Sequence, residues 1–409
     1  MKRFDQMLFN RFTDDWSKLS HDQIKSMLRV KSEKILPSIN DIDLSKPQRV
    51  KLGIDATGTD IHIGHMCPIF VLNMFVKLGH HVDLIIGDFT AKIGDPSGRV
   101  TERAIITDEQ IAKNFATYAE QIGRYIDVKK LHVVKNSTWL KKVTLEQVIA
   151  IAQQRNMATI MQREDFRQRM EQGGLTQAET LYGILVGLDS VALNTTIELG
   201  GIDQLLNLQQ TREVQRIMGQ DAEVIMMNPI LEGLSGDGRK MSKSYGNYVA
   251  VNSTAEDKFG RLMSLGDNLI LMYFKCFSYL FEDEIAELSA FIKSYPMEAK
   301  KQLATYFVAI EAKNMAAGEA ERAKFEAKFS KRELSEDDFL PVRVGVNTMM
   351  LDALATTGKF KSKGDVKRLM QSGAIRNLDN DTVISTDFAI VGPIKIKVGK
   401  LNFFKLEIK

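Results

Sequence analysis

Two histidines in the stretch GIDATGTDIHIGHM, His62 and His65, flank Gly64, and the whole chain holds six histidines. Imidazoles so placed suit three kinds of chemistry: metal ligation, a buried structural role, or hydrogen bonding to phosphate. A zinc site needs three or four ligands, and His-x-x-His supplies two. No second pair of Cys or His stands at ligand spacing elsewhere, so no metal is expected. A buried role for one histidine stays open. The phosphate reading fits the setting best. A strand ends at Asp55, a turn with Thr57 and Gly58 follows, and a helix begins near Gly64. Glycine lets backbone approach a ligand closely, and a helix N-terminus attracts anions.

A second chemical signal lies downstream in GLSGDGRKMSKSYGN, Gly233 to Asn247. Its glycines suggest a mobile loop, and Lys240 and Lys243 supply point charges for phosphates. Taken alone, this would be a solvated lysine-rich loop. Asp95, in IGDPSG, would by itself be a turn cap. Tyr182, on an apolar helix, reads equally as core. Asp189 is different, because it sits among Gly, Leu and Val, and an unpaired buried carboxylate is costly.

The elements that must position these groups read as α/β. RVKLGID and HVDLIIGDF are strand-like, and HMCPIFVLNMFVKLGH between them has helical apolar spacing. That order implies a right-handed crossover and a parallel sheet. From about Thr107 to Arg169 the pattern is mostly helical, and strand character returns in EVIMMNPILEG. Residues 251–335 read as helical, SKRELSEDDFLP as a polar linker, and the remainder as a small α+β module with strands in TVIST, IKIKVGK and NFFKLEIK.

Composition bounds the class. With 44% hydrophobic and 26% charged residues, the chain suits a globular protein of two or three domains. No apolar run is long enough to span a bilayer, the first residues lack a signal-peptide core, and Cys67 and Cys276 form no disulfide framework. A cytoplasmic location is expected. The net charge of +3 divides unevenly. Val346 to Lys409 holds eleven Lys/Arg against six Asp/Glu, a local +5, and leaves 44 basic and 46 acidic residues elsewhere. A basic tail on a near-neutral body suits a polyanionic partner, although a merely soluble surface accounts for it as well.

His-Ile-Gly-His at His62–His65 together with Lys-Met-Ser-Lys-Ser at Lys240–Ser244 resembles the paired signatures of class I aminoacyl-tRNA synthetases. GDFTAKIGDPSGR, NSTWLKK, MQREDF, LYGILVGLDS and SVALNTTIELGGIDQLLNL are similar to segments of bacterial tyrosyl-tRNA synthetases. The resemblance implies a Rossmann-like parallel-sheet catalytic domain over residues 1–250, with a helical insertion at about 107–180. It further implies an α-helical anticodon-binding domain over 251–338 and an S4-like α+β RNA-binding domain over 339–409. The implied reaction is amino-acid activation by ATP with magnesium, then transfer to the 3′ end of tRNA. A homodimer is also implied, with the helical segment after Thr107 as its interface.

Carried over by position, the resemblance assigns Gly53, Asp55, Thr57, His62, Gly64, His65 and Lys243 to the ATP site. Arg99, Arg103, Lys240 and Lys243 would meet the leaving pyrophosphate. Asp95 and Tyr182 would hold the substrate ammonium, Asp189 would accept from the phenolic hydroxyl, and Asp203 and Gln204 would order substrate and ribose. Three positions depart from the usual pattern. Val186 replaces a glutamine at the ammonium, Leu188 replaces a tyrosine, and Ala56 replaces a proline. Lys51 stands where some members have tyrosine, although one bacterial subgroup carries lysine. Two expectations follow: a tyrosyl-tRNA synthetase, or a paralogue adenylating a tyrosine-like amino acid, non-standard or β, in a biosynthetic pathway. A non-catalytic RNA-binding descendant is the weaker third.

Overall fold

A computed structural model describes the chain except residues 1, 56–60, 96–106, 162–163, 172–173, 175, 330–335, 361, 381, 400–401 and 409. The chain divides into two compact units, Met1–Arg322 and Ala323–Lys409. The division falls inside the helix Met315–Phe329, ahead of the polar stretch read as a linker.

The first unit is built on a sheet of β1 (Lys34–Leu36), β2 (Arg49–Ile54), β3 (His81–Ile86), β4 (His132–Lys135), β5 (Ile197–Gly201) and β6 (Val224–Asn228). Their order is β1-β6-β5-β2-β3-β4, with β1 antiparallel to β6 and every other neighbour parallel. Strand β6, and β3 apart from His81 and Asp83, are largely apolar and buried almost end to end, as expected where a parallel sheet is covered on both faces. The chain leaves β2 toward β3 and later returns to β5 on the other flank of β2. Strand order therefore reverses between β2 and β5, where a crevice opens at the carboxyl ends of the strands.

The crossover helix Met66–Lys77 is buried over most of its length, because helices from beyond residue 250 cover it. Phe70 packs edge-on to Phe277 of helix Ile270–Phe277 at 5.5 Å, and Phe277 meets Phe307 of helix Pro296–Ala312 at 4.8 Å. The helices after residue 250 thus share one core with the sheet. Strand β4 was not visible in the segment read as helical. It is a short edge strand, half exposed and without apolar alternation.

The second unit has its own sheet, ordered β7-β11-β10-β8-β9, from β7 (Leu340–Val344), β8 (Ile375–Asn377), β9 (Thr382–Val383), β10 (Ile394–Val398) and β11 (Asn402–Ile408). Helices Met350–Ala355 and Lys363–Gln371 close its core through Met350, Leu354, Val366 and Met370, against Ile375, Ile396 and Phe404. This is the expected α+β module, with β7 and β8 added. Lys363, Lys367 and Arg368 stay exposed on the outer face of their helix.

Candidate active site

A cleft of about 620 Å³ lies over the switch between β2 and β5. It brings together Gly53, Asp55, His62, Gly64, His65, Asp95, Tyr182, Val186, Asp189, Asp203, Gln204 and Lys240, residues spread over nearly two hundred positions. Thr57, Arg99 and Arg103 lie outside the described residues, as does Ala56.

The two signature segments are tied by backbone. Ile63 N–H donates to Val249 at 2.9 Å and Val251 N–H to Ile61 at 3.0 Å, so the histidine turn pairs with the chain just beyond the lysine loop. The loop is less free than its glycines suggested. Met241 is buried and donates to Leu231, Leu234 N–H donates to Asn247, and the Asn247 Oδ1 accepts from Ser242 N–H at 2.9 Å. Lys240 is half exposed and forms an ion pair with Asp203 at 2.8 Å.

His62 and His65 face one another, with ring centroids 3.9 Å apart. The His65 Nδ1 accepts from the His62 N–H at 3.2 Å. Burial, then His65 and the lysines 240 and 243, push His62 down to about 2. Burial takes His65 down to about 4, with the same two lysines adding to the effect. Both rings are therefore neutral near pH 7, acting through N–H dipoles rather than charge. The His62 Nδ1 is buried without a hydrogen-bond partner among the described residues, an atom poised for a ligand.

The other wall is the helix Gln177–Leu193, opened by a capping box between Thr176 and Glu179 and ended by Asn194 in the left-handed region. Tyr182, Val186 and Asp189 follow at four- and three-residue steps, so they share one face. On the opposite side, Gly183 and Gly187 let helix Leu205–Ile217 approach closely. A Cβ at Gly187 would stand 2.6 Å from Val214.

Asp189 is buried and accepts from Trp139 Nε1 at 2.7 Å and Asn136 Nδ2 at 3.2 Å. Burial raises its carboxyl to about 7, against the opposing pull of Lys51, Trp139 and Asn136. Tyr182 donates its hydroxyl to Asp55 at 3.1 Å, and Thr90 donates to the other oxygen of Asp55 at 2.8 Å. Asp95 accepts from Gln204 at 2.6 Å and from Asn207 at 3.1 Å. Val186 presents its side chain to the cleft while its carbonyl accepts from Lys51 at 3.1 Å.

At the floor of the cleft lies a charge cluster that the sequence pattern does not reveal. The register sets Lys51 of β2 directly beside Glu198 of β5, and their side chains pair at 2.9 Å with both fully buried. Lys51 also donates to Ser190 Oγ at 2.5 Å. Glu223 is pushed well up by burial and by Glu198, and accepts from Thr211 at 2.5 Å. The available signal was a single charge inside each of two apolar strands, VKLGI and IELGG. Asn136, Trp139, Thr90 and Asn207 carried no such mark.

Residues 44–327 match the family described as tRNA synthetases class I (W and Y). The chain belongs to that family. The tyrosine–tRNA ligase of Carboxydothermus hydrogenoformans is 39% identical over 388 residues, covering 91% of this chain and 92% of that one. That of Desulfotalea psychrophila is 38% identical over 369 residues, covering 88% and 90%. A C-terminally truncated mitochondrial tyrosyl-tRNA synthetase from Aspergillus nidulans matches in fold, with a TM-score of 0.62 at 18% identity over 80% of this chain and 99% of that one. ATP is therefore a substrate of this class I synthetase. The relatives do not favour the second expectation, a paralogue for a non-standard amino acid: those that match this chain over nearly its full length carry the tyrosine–tRNA ligase name.

Proposed function

We propose that this synthetase activates tyrosine with magnesium-bound ATP to give tyrosyl-adenylate and pyrophosphate, then transfers the tyrosyl group to the 3′ end of tRNA(Tyr). The observation that carries the reading is Asp189. Trp139 and Asn136 hold its carboxylate at the base of the cleft, with acceptor capacity left for a phenolic hydroxyl. The names of the relatives support the same amino acid.

In the first step a substrate carboxylate oxygen attacks the α-phosphorus, and the bond to the pyrophosphate oxygen breaks. Little proton transfer is needed, so catalysis rests on positioning and on stabilising spreading negative charge. The neutral N–H groups of His62 and His65 and the charges of Lys240 and Lys243 suit that task, and the resemblance adds Arg99 and Arg103 for the pyrophosphate. Gly53, Asp55 and Gly64 line the ATP side, and the resemblance gives Thr57 the same role. Asp95, Tyr182, Asp203 and Gln204 orient the amino acid, and Val186 leaves the ammonium to that set. In the second step a terminal ribose hydroxyl attacks the acyl carbon and AMP leaves.

The basic second unit suits the tRNA backbone, and the helices after residue 250 suit its anticodon arm. Exposed Leu145, Ile149, Met157 and Met170, all in the segment after Thr107, are where a second copy docks. Among the described residues no helix is long and apolar enough to cross a membrane, which fits an enzyme of the cytoplasm.

ATP–pyrophosphate exchange across amino acids tests the reading. Tyrosine should drive exchange and phenylalanine should fail, because it leaves Asp189 unpaired. Rejection on the ~10⁵ scale is borrowed from tyrosyl-tRNA synthetases, for which it is known, rather than derived from this cleft. Equal exchange with phenylalanine would remove the role given to Asp189.

A further inference from the structure

The opposite end of the sheet assembles a second chemical cluster. Parallel pairing of β3 with β4 places His132 beside Asp83, and His81 shares a face of β3 with Asp83 two residues away. His132 Nδ1 lies 2.6 Å and His81 Nε2 3.1 Å from the same carboxylate oxygen, Asp83 Oδ1. The three ligand atoms all fall within 4.8 Å of one another. Asp83 is fully buried, whereas side chains of the two histidines are about half exposed, 48% and 50%. Arg49 Nε holds the other oxygen, Oδ2, at 2.9 Å.

We propose that His81, Asp83 and His132 form a binding site for a divalent transition metal such as zinc, a clip between β3 and β4. Two imidazoles and one carboxylate suit zinc, cobalt or nickel rather than magnesium, which prefers oxygen ligands and keeps its waters. Ligand bonds of about 2.0–2.2 Å in a tetrahedral zinc site place neighbouring ligand atoms ~3.3 Å apart. The two histidine nitrogens lie 2.6 and 3.1 Å from Asp83 Oδ1 and no more than 4.8 Å from each other, so rotation of the two half-exposed rings is what would bring all three ligand atoms to that spacing. The open side faces solvent and leaves a position for water. Arg49 occupies the carboxylate oxygen the ion does not need and fixes the orientation of the other, as outer partners of metal ligands do.

The location decides the role. The cluster sits at the amino ends of the strands, whereas the cleft lies at their carboxyl ends, so the ion takes no part in adenylation. It holds β4, the edge strand of the sheet. Strand β4 runs straight into Asn136 and the helix Ser137–Leu140, which carries Trp139, so the ion would brace the segment that holds Asp189.

The test uses the full, tag-free chain stripped by a chelator, titrated with zinc by calorimetry and with cobalt by visible absorption. The parent should take up a single tight ion per chain with the absorption of tetrahedral cobalt, and zinc should raise its Tm. H132A and the double variant H81A/H132A should each weaken zinc binding at least ~10-fold and lose the Tm shift, with unchanged circular dichroism. The double variant keeps His62 and His65. Undiminished binding in that variant would place the ion elsewhere and overturn the proposal. So would the lack of binding by the parent at ~1 mM zinc, a limit of about −4 kcal/mol, which would leave the cluster as hydrogen bonds alone.

Discussion

One parallel sheet carries a histidine pair at each end, and the two pairs live in opposite surroundings. At the carboxyl ends His62 and His65 are buried beside Lys240 and Lys243, which keeps both rings neutral. At the amino ends His81 and His132 are half exposed and lean on one buried carboxylate, whose other oxygen Arg49 holds. In the proposed reaction the first pair meets an anion whose charge the lysines balance, so its rings need to supply dipoles alone. The second pair has brought an anion with it; Arg49 holds one of its oxygens, and the other is where the proposed metal ion would bind. Residue type is the same at both ends; the neighbours decide the chemistry. Between the ends lies the Lys51–Glu198 pair at the floor of the cleft, where burial leaves each charge to be met by the other.

The largest expected effect comes from that middle layer. Lys51→Met would leave Glu198 buried beside Glu223 and Asp189 with no cation. Breaking a buried pair by removing one partner costs about 3–5 kcal/mol. Urea unfolding of the variant should show a loss of that order with an unchanged m-value. A loss below ~1 kcal/mol would mean that protonation of Glu198 absorbs the change, and that this layer is no more sensitive than the exposed end.

Next comes the cleft. Lys243→Ala should lower the rate of adenylate formation by roughly 2–4 kcal/mol of transition-state stabilisation, as for other charge-stabilising groups, with tyrosine affinity nearly unchanged. Single-turnover formation of the adenylate reads it directly. The matching substitution at the other end, His81→Ala, should leave that rate alone. Equal losses at both ends would erase the contrast.

The two ends were not equally legible. His62 and His65 lie within one turn and belong to a motif, so local spacing revealed them, and so did the lysines at 240 and 243. Tyr182, Val186 and Asp189 were readable only through the resemblance to tyrosyl-tRNA synthetases; their shared face on the helix Gln177–Leu193 came with the structure. The cluster at the amino ends was invisible, since His132 reaches Asp83 across 49 positions through a strand pairing that periodicity did not indicate. The same holds for Lys51 and Glu198, each an isolated charge in an apolar run until register put them side by side. The helices after residue 250 read correctly as helices, but their packing on the crossover helix depends on Phe70 and Phe277 meeting, which no local pattern specifies.

Titration sharpens the comparison at a smaller scale. Phenol recognition needs an ionised Asp189, raised to about 7, so tyrosine affinity should fall as pH drops through 7, by up to tenfold, or about 1.4 kcal/mol, per unit below it. His62 and His65, depressed to about 2 and 4, do not titrate between pH 5 and 8 and cannot produce that step. The same shift acts on folding with the opposite sign. The fold favours the protonated carboxyl, so this contribution to stability is complete below the unfolded value and is lost as pH rises through about 7. Tyrosine KM in exchange from pH 5.5 to 8 should show the step in the parent. A flat profile would mean that Asp189 stays ionised throughout the range.

The smallest effect belongs to the exposed end in the absence of metal. His132→Ala removes one hydrogen bond to Asp83 and leaves those from Arg49 and His81 in place. The ring is half exposed, so solvent screens the contact and water can replace it at the Asp83 oxygen it exposes. The expected loss in chelated protein is about 0.5–1 kcal/mol, read as a small fall in urea midpoint. Because β4 leads into Asn136, that loss should appear first as faster amide exchange in residues 132–139, with the far strands β5 and β6 unchanged. A loss as large as that of Lys51→Met would show that the edge strand depends on this contact as the core depends on its buried lysine, and the two regions would then differ in ligand alone rather than in the cost of their charges.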